Sequence, residues 1–123
     1  MALKGPIRTN NADVVLDSLD GFVYSKDLDG NYTYANKAVQ DLFGASLADI
    51  VGKDDSHFFD LEQSNALKVN DAEVMSSGQT VRREERDVIA ETGEERVFWT
   101  VKSPIRDASG AIVGMCGISL ASG

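Results

Sequence analysis

The sequence predicts an α+β domain with one antiparallel β-sheet, because two strand-like segments precede a helical region and three more follow it. Residues 22–26 and 31–35 are rich in aromatic and β-branched side chains, and the Asp29-Gly30 pair between them can turn the chain into a β-hairpin. Residues 80–90, 96–106 and 111–120 read as three further strands, separated by turns that contain Gly93 and Gly110. A chain of 123 residues holds one core and therefore one domain.

Two helices are predicted around this first hairpin. Between residues 12 and 19, apolar residues recur at helical spacing and predict an N-terminal helix. Asn36 stands directly after the second strand, where its side chain can cap a helix over residues 37–43. Gly44 can end that helix, because glycine adopts the left-handed conformation without steric cost.

The middle of the chain predicts a short turn and one long helix. Ser46 can cap a turn that Gly52 ends. The longest helix is predicted at residues 61–77, where apolar residues recur at loosely helical spacing up to Gly78.

Composition excludes several classes of protein. The formal net charge is −8, which argues against a nucleic-acid partner, and no apolar run approaches the ~20 residues that a membrane span needs. Direct membrane contact is therefore not expected. Cys116 is the single cysteine, so no internal disulfide forms and a cytoplasmic location is the default.

Two motifs carry a resemblance to a known family. Residues 21–44, GFVYSKDLDGNYTYANKAVQDLFG, and the block from Pro104 to Gly114 followed by Gly117-Ile118-Ser119 resemble the opening and closing hairpins of a PAS domain, the sensory module of bacterial signalling proteins. The resemblance implies the sheet order 2-1-5-4-3, helices on one face and an N-terminal cap helix. Residues 1–10 show no periodicity and are expected to be a flexible lead. Residues 11–123 are expected to be a single domain of this kind, excised from a longer protein.

The resemblance further implies a pocket between the sheet and the helices. The flavin-binding branch of the family has a similar Phe-Trp pair, and its strand parity turns Phe98 inward and Trp99 outward. The candidate ligand-binding residues share this inner side: Val23, Ser25, Phe43, Phe98, Thr100, Lys102, Met115 and Ser119. Lys102 either pairs with a ligand carboxylate or phosphate or, as the sequence favours, extends its amine to water.

The outer face of the sheet is apolar. We expect Val97, Trp99 and Val101, together with Val15 and Leu19 of the N-terminal helix, to form a homodimer face. The alternative is that the N-terminal helix alone covers these side chains.

Cofactor and enzyme hypotheses find little support. His57 is the only histidine and a low-ranking haem ligand, because it falls in the linker before the long helix. No cysteine stands where the light-sensing flavin domains carry one, so covalent flavin photochemistry is excluded and noncovalent flavin remains open. Neither a phosphate-binding loop nor a convergent catalytic set is present, so no catalysis is expected.

The sequence therefore predicts a sensory or regulatory domain of a signal-transduction protein, which senses a small molecule or mediates dimerisation. The parent protein is expected to be cytoplasmic or membrane-anchored, with a histidine kinase, a cyclic-dinucleotide enzyme or a chemoreceptor as its output. The alternative is a ligand-free module for protein–protein interaction and signal relay.

Overall fold

The computed structural model describes residues 11–88 and 92–121. Five strands form one antiparallel sheet in the order β2-β1-β5-β4-β3. They are β1 (Phe22–Asp27), β2 (Tyr32–Ala35), β3 (Val81–Val88), β4 (Glu95–Arg106) and β5 (Ile112–Ala121). This arrangement confirms the predicted fold class and strand order. The flexible lead predicted for residues 1–10 lies outside the described residues.

The helices follow the predicted plan. They are α1 (Asn11–Ser18), α2 (Lys37–Phe43), α3 (Leu47–Ile50) and α4 (Leu61–Ser77), with a 3₁₀ turn (Asp55–His57) before α4. The bounds of α4 are those predicted from its apolar spacing and from Gly78, whose φ of 69° ends the helix. None of the described helices has both the length and the apolar character needed to cross a bilayer.

Asn36 connects three elements at the base of the hairpin. Its side-chain oxygen accepts hydrogen bonds from the Val39 amide at the start of α2 and from the Val23 amide in β1. Its amide nitrogen donates to the carbonyl oxygens of Leu16 in α1 and of Gly21, each at 2.9 Å. The predicted cap is therefore confirmed, and the same side chain also positions α1.

The core lies between the sheet and the helices. Tyr32 and Ala35 of β2 pack with Val39 of α2 and Ile50 of α3. Beside them, aromatic rings continue the core toward α4, with the ring of Phe43 stacked on another phenylalanine ring at 4.2 Å.

Gly114 allows β5 to approach β1 closely. A Cβ atom at Gly114 would lie 2.3 Å from the Lys26 carbonyl oxygen, whereas one at Gly117 would meet the side-chain ring of Tyr24 at 2.7 Å. We expect Gly114→Ala to lower the free energy of unfolding by about 1–3 kcal/mol, and Gly117→Ala to cost less, because a ring can rotate but the paired backbone cannot. Urea unfolding of both variants measures this order, and a larger loss for Gly117→Ala would contradict it.

Candidate functional site

Five charged side chains form a buried network between the sheet and α4. Lys26 of β1 and Lys102 of β4 are each only 2% exposed, although lysine is rarely buried. Asp55 of the 3₁₀ turn, Asp71 of α4 and Glu85 of β3 surround them and are also buried. The network therefore joins three strands to two of the helical segments.

Asp71 lies at the centre of this network. Its Oδ2 atom lies 2.6 Å from Lys26 Nζ and its Oδ1 atom lies 2.9 Å from Lys102 Nζ. Lys26 Nζ also contacts Asp55 Oδ2 at 2.5 Å, and Lys102 Nζ contacts Glu85 Oε2 at 3.1 Å. Each buried ammonium group is thus shared by two carboxylates.

The network keeps its members charged. Burial disfavours the carboxylate of Asp71, but the attraction of Lys26 and then of Lys102 outweighs burial and lowers its pKa. Burial likewise disfavours the ammonium group of Lys26, but Asp55 and Asp71 outweigh it and raise the pKa. The pKa of Lys102 is raised against burial in the same way, by Asp71 and Glu85.

The free energy of unfolding is expected to stay nearly constant between about pH 5 and pH 9 and to fall below about pH 4. The pKa of Asp71 is lowered, so its contribution is present above the pKa of the unfolded carboxyl and is lost as pH falls through the folded value. The pKa values of both lysines are raised, so their contribution is present below the unfolded value and is lost only as pH rises through the folded value. Urea unfolding across this range measures the profile, and a marked change near neutrality would contradict it.

Polar side chains extend the network at both ends. Tyr32 donates its hydroxyl hydrogen to Asp55 Oδ1 at 2.5 Å, and burial followed by the charge of Asp55 raises the pKa of this phenol. At the other end, Asn70 Nδ2 donates to Glu85 Oε2 at 3.2 Å, and Arg83 donates to Asn70 Oδ1 at 3.0 Å. The chain of contacts runs from the core to the surface of α4.

A cavity of about 40 Å³ lies against this network. Its walls are mostly aromatic and aliphatic, and its polar lining consists of both lysines, one carboxylate and hydroxyl groups. The lining residues are Phe22, Tyr24, Lys26, Tyr32, Val39, Leu42, Phe43, Phe59, Leu67, Glu85, Phe98, Lys102 and Ser119. A space of this size holds a few water molecules or one compact polar group.

Three hydroxyl groups form a chain of two hydrogen bonds beside the cavity. Ser119 Oγ lies 3.0 Å from the Tyr24 hydroxyl and 3.0 Å from Thr100 Oγ1. Burial, more than any other influence, raises the pKa of Tyr24, so this phenol stays protonated. The three groups offer a neutral hydrogen-bonding edge next to the charged one.

Comparison with known proteins decides the family. Residues 16–121 match the family model described as the PAS fold. The chain belongs to this family.

Curated relatives of this PAS domain are signalling proteins. It is 32% identical over 108 residues to a diguanylate cyclase of Vibrio cholerae, which covers 87% of this chain and 34% of the cyclase. It is 29% identical over 107 residues to the methanogenesis regulatory histidine kinase FilI of Methanothrix harundinacea, which covers 85% of this chain and 12% of the kinase. The chain thus spans a third or less of these relatives, which support the role of a sensory domain in a signalling protein.

The fold of this PAS domain is also found in VqmA. The structure of VqmA bound to DPO aligns with a TM-score of 0.79 at 23% identity, covering 89% of this chain and 55% of that one. A structure of the Vibrio cholerae VqmA dimer aligns with the same score and identity, covering 92% of this chain and 52% of that one. At this identity the likeness establishes the fold.

The PAS cavity includes half of the predicted lining residues. Phe43, Phe98, Lys102 and Ser119 line it, as the resemblance implies. Thr100 and Met115 are buried but do not line the cavity. Thr100 instead supports it through its hydrogen bond to Ser119.

The predicted orientation of β1 is wrong. Val23 and Ser25 do not line the cavity, whereas Tyr24 and Lys26 do. In the ladder between β1 and β5, Lys26 lies opposite Met115. Residues opposite each other share a face of the sheet, and side chains alternate along a strand. Met115 lies on the inner face of the sheet, so Lys26 also points inward and Ser25 points outward. The Ser25 hydroxyl group there contacts the hydroxyl group of Thr33.

Lys102 is likewise not an amine that reaches water, because its partners Asp71 and Glu85 lie in the core. Asp55 is also buried, although Ser56 and His57, which follow it in the 3₁₀ turn, are exposed. A sequence signal for the network did exist. Asp71 falls between Leu67 and Val74 on the buried face of α4, and a charged residue at a core position requires a buried partner.

His57 lies away from this site. Its side chain is 54% exposed, its Nδ1 atom lies 3.6 Å from Asp54 Oδ1, and it does not line the cavity. A haem held by His57 does not fit this arrangement, because the exposed imidazole lies outside the cavity. Within the described ranges, no three His, Cys, Asp or Glu residues are arranged to hold a metal. Burial raises the pKa of the Cys116 thiol.

The outer face of the sheet remains uncovered in the described part of this PAS domain. Trp99 is 56% exposed and Leu120, opposite it on β5, is 49% exposed. Helix α1 contacts the start of α2, where Asp17 accepts a hydrogen bond from the Lys37 amide. Among the described residues, α1 therefore leaves Trp99 and Leu120 uncovered. Among the residues predicted for the homodimer face, Val15 of α1, Leu19 directly after it and Trp99 of β4 are exposed. Val97 and Val101 are half-buried.

Proposed function

We propose that this PAS domain is the sensing and regulatory part of a signal-transduction protein and that its inner cavity accepts a small organic ligand. The observation that carries the proposal is the cavity itself, whose aromatic walls surround a charged edge and a hydroxyl edge. Such a combination of apolar walls and a few placed polar groups is typical of ligand sites. The structure of VqmA, which has a similar fold and is bound to DPO, supports the proposal.

A ligand in this cavity acts on the packing of α4 against the sheet. Glu85 and Lys102 line the cavity, and Lys102 is paired with Asp71 of α4. A ligand that changes the position of Lys102 therefore changes the contact between β4 and α4. The ligand shifts the equilibrium between two packings of α4 against the sheet only to the extent that its affinity for the two packings differs.

The output belongs to a longer protein. The two curated relatives suggest a diguanylate cyclase or a histidine kinase as the output domain. A chemoreceptor is a third candidate output. Catalysis is assigned to that output, because the buried acidic and basic groups of this domain are paired with one another. A cytoplasmic location, with an anchor elsewhere in the parent, agrees with this role.

Native mass spectrometry of the purified domain, with a near-ultraviolet and visible absorption spectrum, tests the proposal. We expect a retained small molecule in the wild-type protein. Phe98→Trp fills the cavity and is expected to abolish the retained mass, while Val69→Trp, at an exposed position of α4, leaves it. An empty wild-type domain that stays empty in cell extract would contradict ligand sensing.

A second candidate is a ligand-free module that dimerises and relays a signal. The small cavity and the exposed Trp99 favour it. The outer face of β4 and β5 would then pair with a second copy, as apolar faces of this kind seek cover. Sedimentation distinguishes the two states: Trp99→Glu is expected to yield a monomer and Val69→Glu a dimer. A wild-type monomer at high protein concentration would contradict dimerisation.

A further inference from the structure

We infer that the cavity binds a compact cationic group, such as an amine, amidine or guanidine, against the carboxylate of Glu85. The inference rests on the proposed function, since it assigns a ligand class to the same cavity. It follows from the charge of the network, from its hydrogen-bond partners and from the rings that surround it.

The buried network carries one more negative than positive charge. Lys26 and Lys102 supply two ammonium groups, while Asp55, Asp71 and Glu85 supply three carboxylates. A nearby guanidinium group does not restore the balance, because Arg83 pairs with Glu73 of α4 at 3.0 Å. An uncompensated charge in the interior is costly, so the site favours a further cation.

The hydrogen bonds show where this cation would bind. Both oxygens of Asp71 accept from lysines, and both oxygens of Asp55 accept, from Lys26 and from Tyr32. Glu85 Oε2 accepts from Lys102 and from an asparagine amide. In the part of the chain that the structure describes, Glu85 Oε1 alone among these six oxygens has no donor.

Glu85 is placed to use this free oxygen on a ligand. Its side chain is more than nine-tenths buried and lines the cavity. The rings of Phe22, Tyr24 and Phe98 line the same space, and aromatic faces attract cations. The network already contains two such contacts, in which Lys26 Nζ lies 4.9 Å from the centre of the Tyr32 ring and 5.9 Å from that of the Tyr24 ring.

An anionic ligand suits the site less well. Its charge would add to the excess of the carboxylates, and it would have to compete with them for Lys26 and Lys102. A cation bound to Glu85 Oε1 leaves all four lysine–carboxylate contacts in place. The volume of about 40 Å³ accommodates the charged head of such a ligand.

Matched probes of equal shape and different charge test the inference. The panel consists of methylguanidinium, methylurea and acetate, and of the larger benzamidinium, benzamide and benzoate, each titrated into the domain with amide chemical shifts as the readout. A charge-assisted hydrogen bond to Glu85 is expected to make a cation bind about tenfold or more tightly than its neutral analogue. The shifts are expected at residues that line the cavity.

The variant Glu85→Gln keeps the shape of the side chain and removes its charge. It is expected to abolish the preference for cations, whereas Glu84→Gln, on the exposed face of the same strand, keeps it. A neutral or anionic probe that binds as tightly as its cation overturns the inference, and so does a panel that does not bind. If native mass spectrometry then reveals a retained neutral or anionic molecule, the proposed sensing function stands and only the ligand class fails.

Discussion

Lys26→Met is expected to lower the free energy of unfolding by about 3–5 kcal/mol at neutral pH. Methionine fills nearly the same volume, so the loss comes from electrostatics and not from a void. Without Lys26, the carboxylates of Asp55 and Asp71 remain buried, and of the two network lysines Lys102 alone is left to pair with Asp71. Removing one partner of a buried ion pair is costly because the other charge stays uncompensated.

Acid is expected to relieve part of this penalty. In the variant, Asp71 loses the lysine that lowers its pKa most and keeps only Lys102, so its folded pKa rises relative to the wild type and the penalty shrinks as pH falls toward about 5. Urea unfolding at both pH values measures this trend. Lys37→Met is the control, because Lys37 is 62% exposed in its pair with Asp41 and its loss is expected to leave the free energy of unfolding nearly unchanged. A Lys26→Met domain as stable as the wild type would contradict the importance of the network.

Asn36→Ala is expected to cost about 3–5 kcal/mol, well beyond the loss of an ordinary helix cap. The side chain is fully buried and makes four hydrogen bonds to the backbone of α1, Gly21, β1 and α2. Alanine leaves two amides and two carbonyl oxygens without this partner, and buried groups of that kind are costly when unpaired.

Ser46→Ala provides the matched comparison for this prediction. Ser46 caps α3 through a single exposed hydrogen bond to the Asp49 amide, so its loss is expected to cost about 1 kcal/mol. Urea unfolding measures both variants, and hydrogen exchange at Val39 and Val23 reports the freed amides. Equal costs for the two substitutions would show that Asn36 acts only as a cap.

Local chemistry made part of the fold predictable. Gly30 supplies the positive φ of the first turn, Asn36 caps α2, and Gly78 ends α4, all at the positions that the sequence indicates. These features depend on residues close together in the chain, so a sequence pattern records them. The bounds of α4 and the order of helices and strands could be predicted for the same reason.

The candidate site was only partly predictable because it depends on strand register. A shift of one residue turns every side chain of a strand to the other face, and the strand parity carried over from the family resemblance turns the wrong face of β1 inward. The pairing of Lys26 with Met115 decides the orientation. Composition alone likewise favours a solvent-exposed amine for Lys102, which the contacts with Asp71 and Glu85 overrule.

The sequence by itself determined the family, the sheet and helix plan, the caps and the turns, because neighbouring residues encode them. Only the tertiary structure decided that Lys26 and Lys102 are buried and that Asp55, Asp71 and Glu85 surround them. These five residues lie on five different elements. A buried charge is stable only when its partners arrive from elsewhere in the chain, and long-range packing alone brings them together.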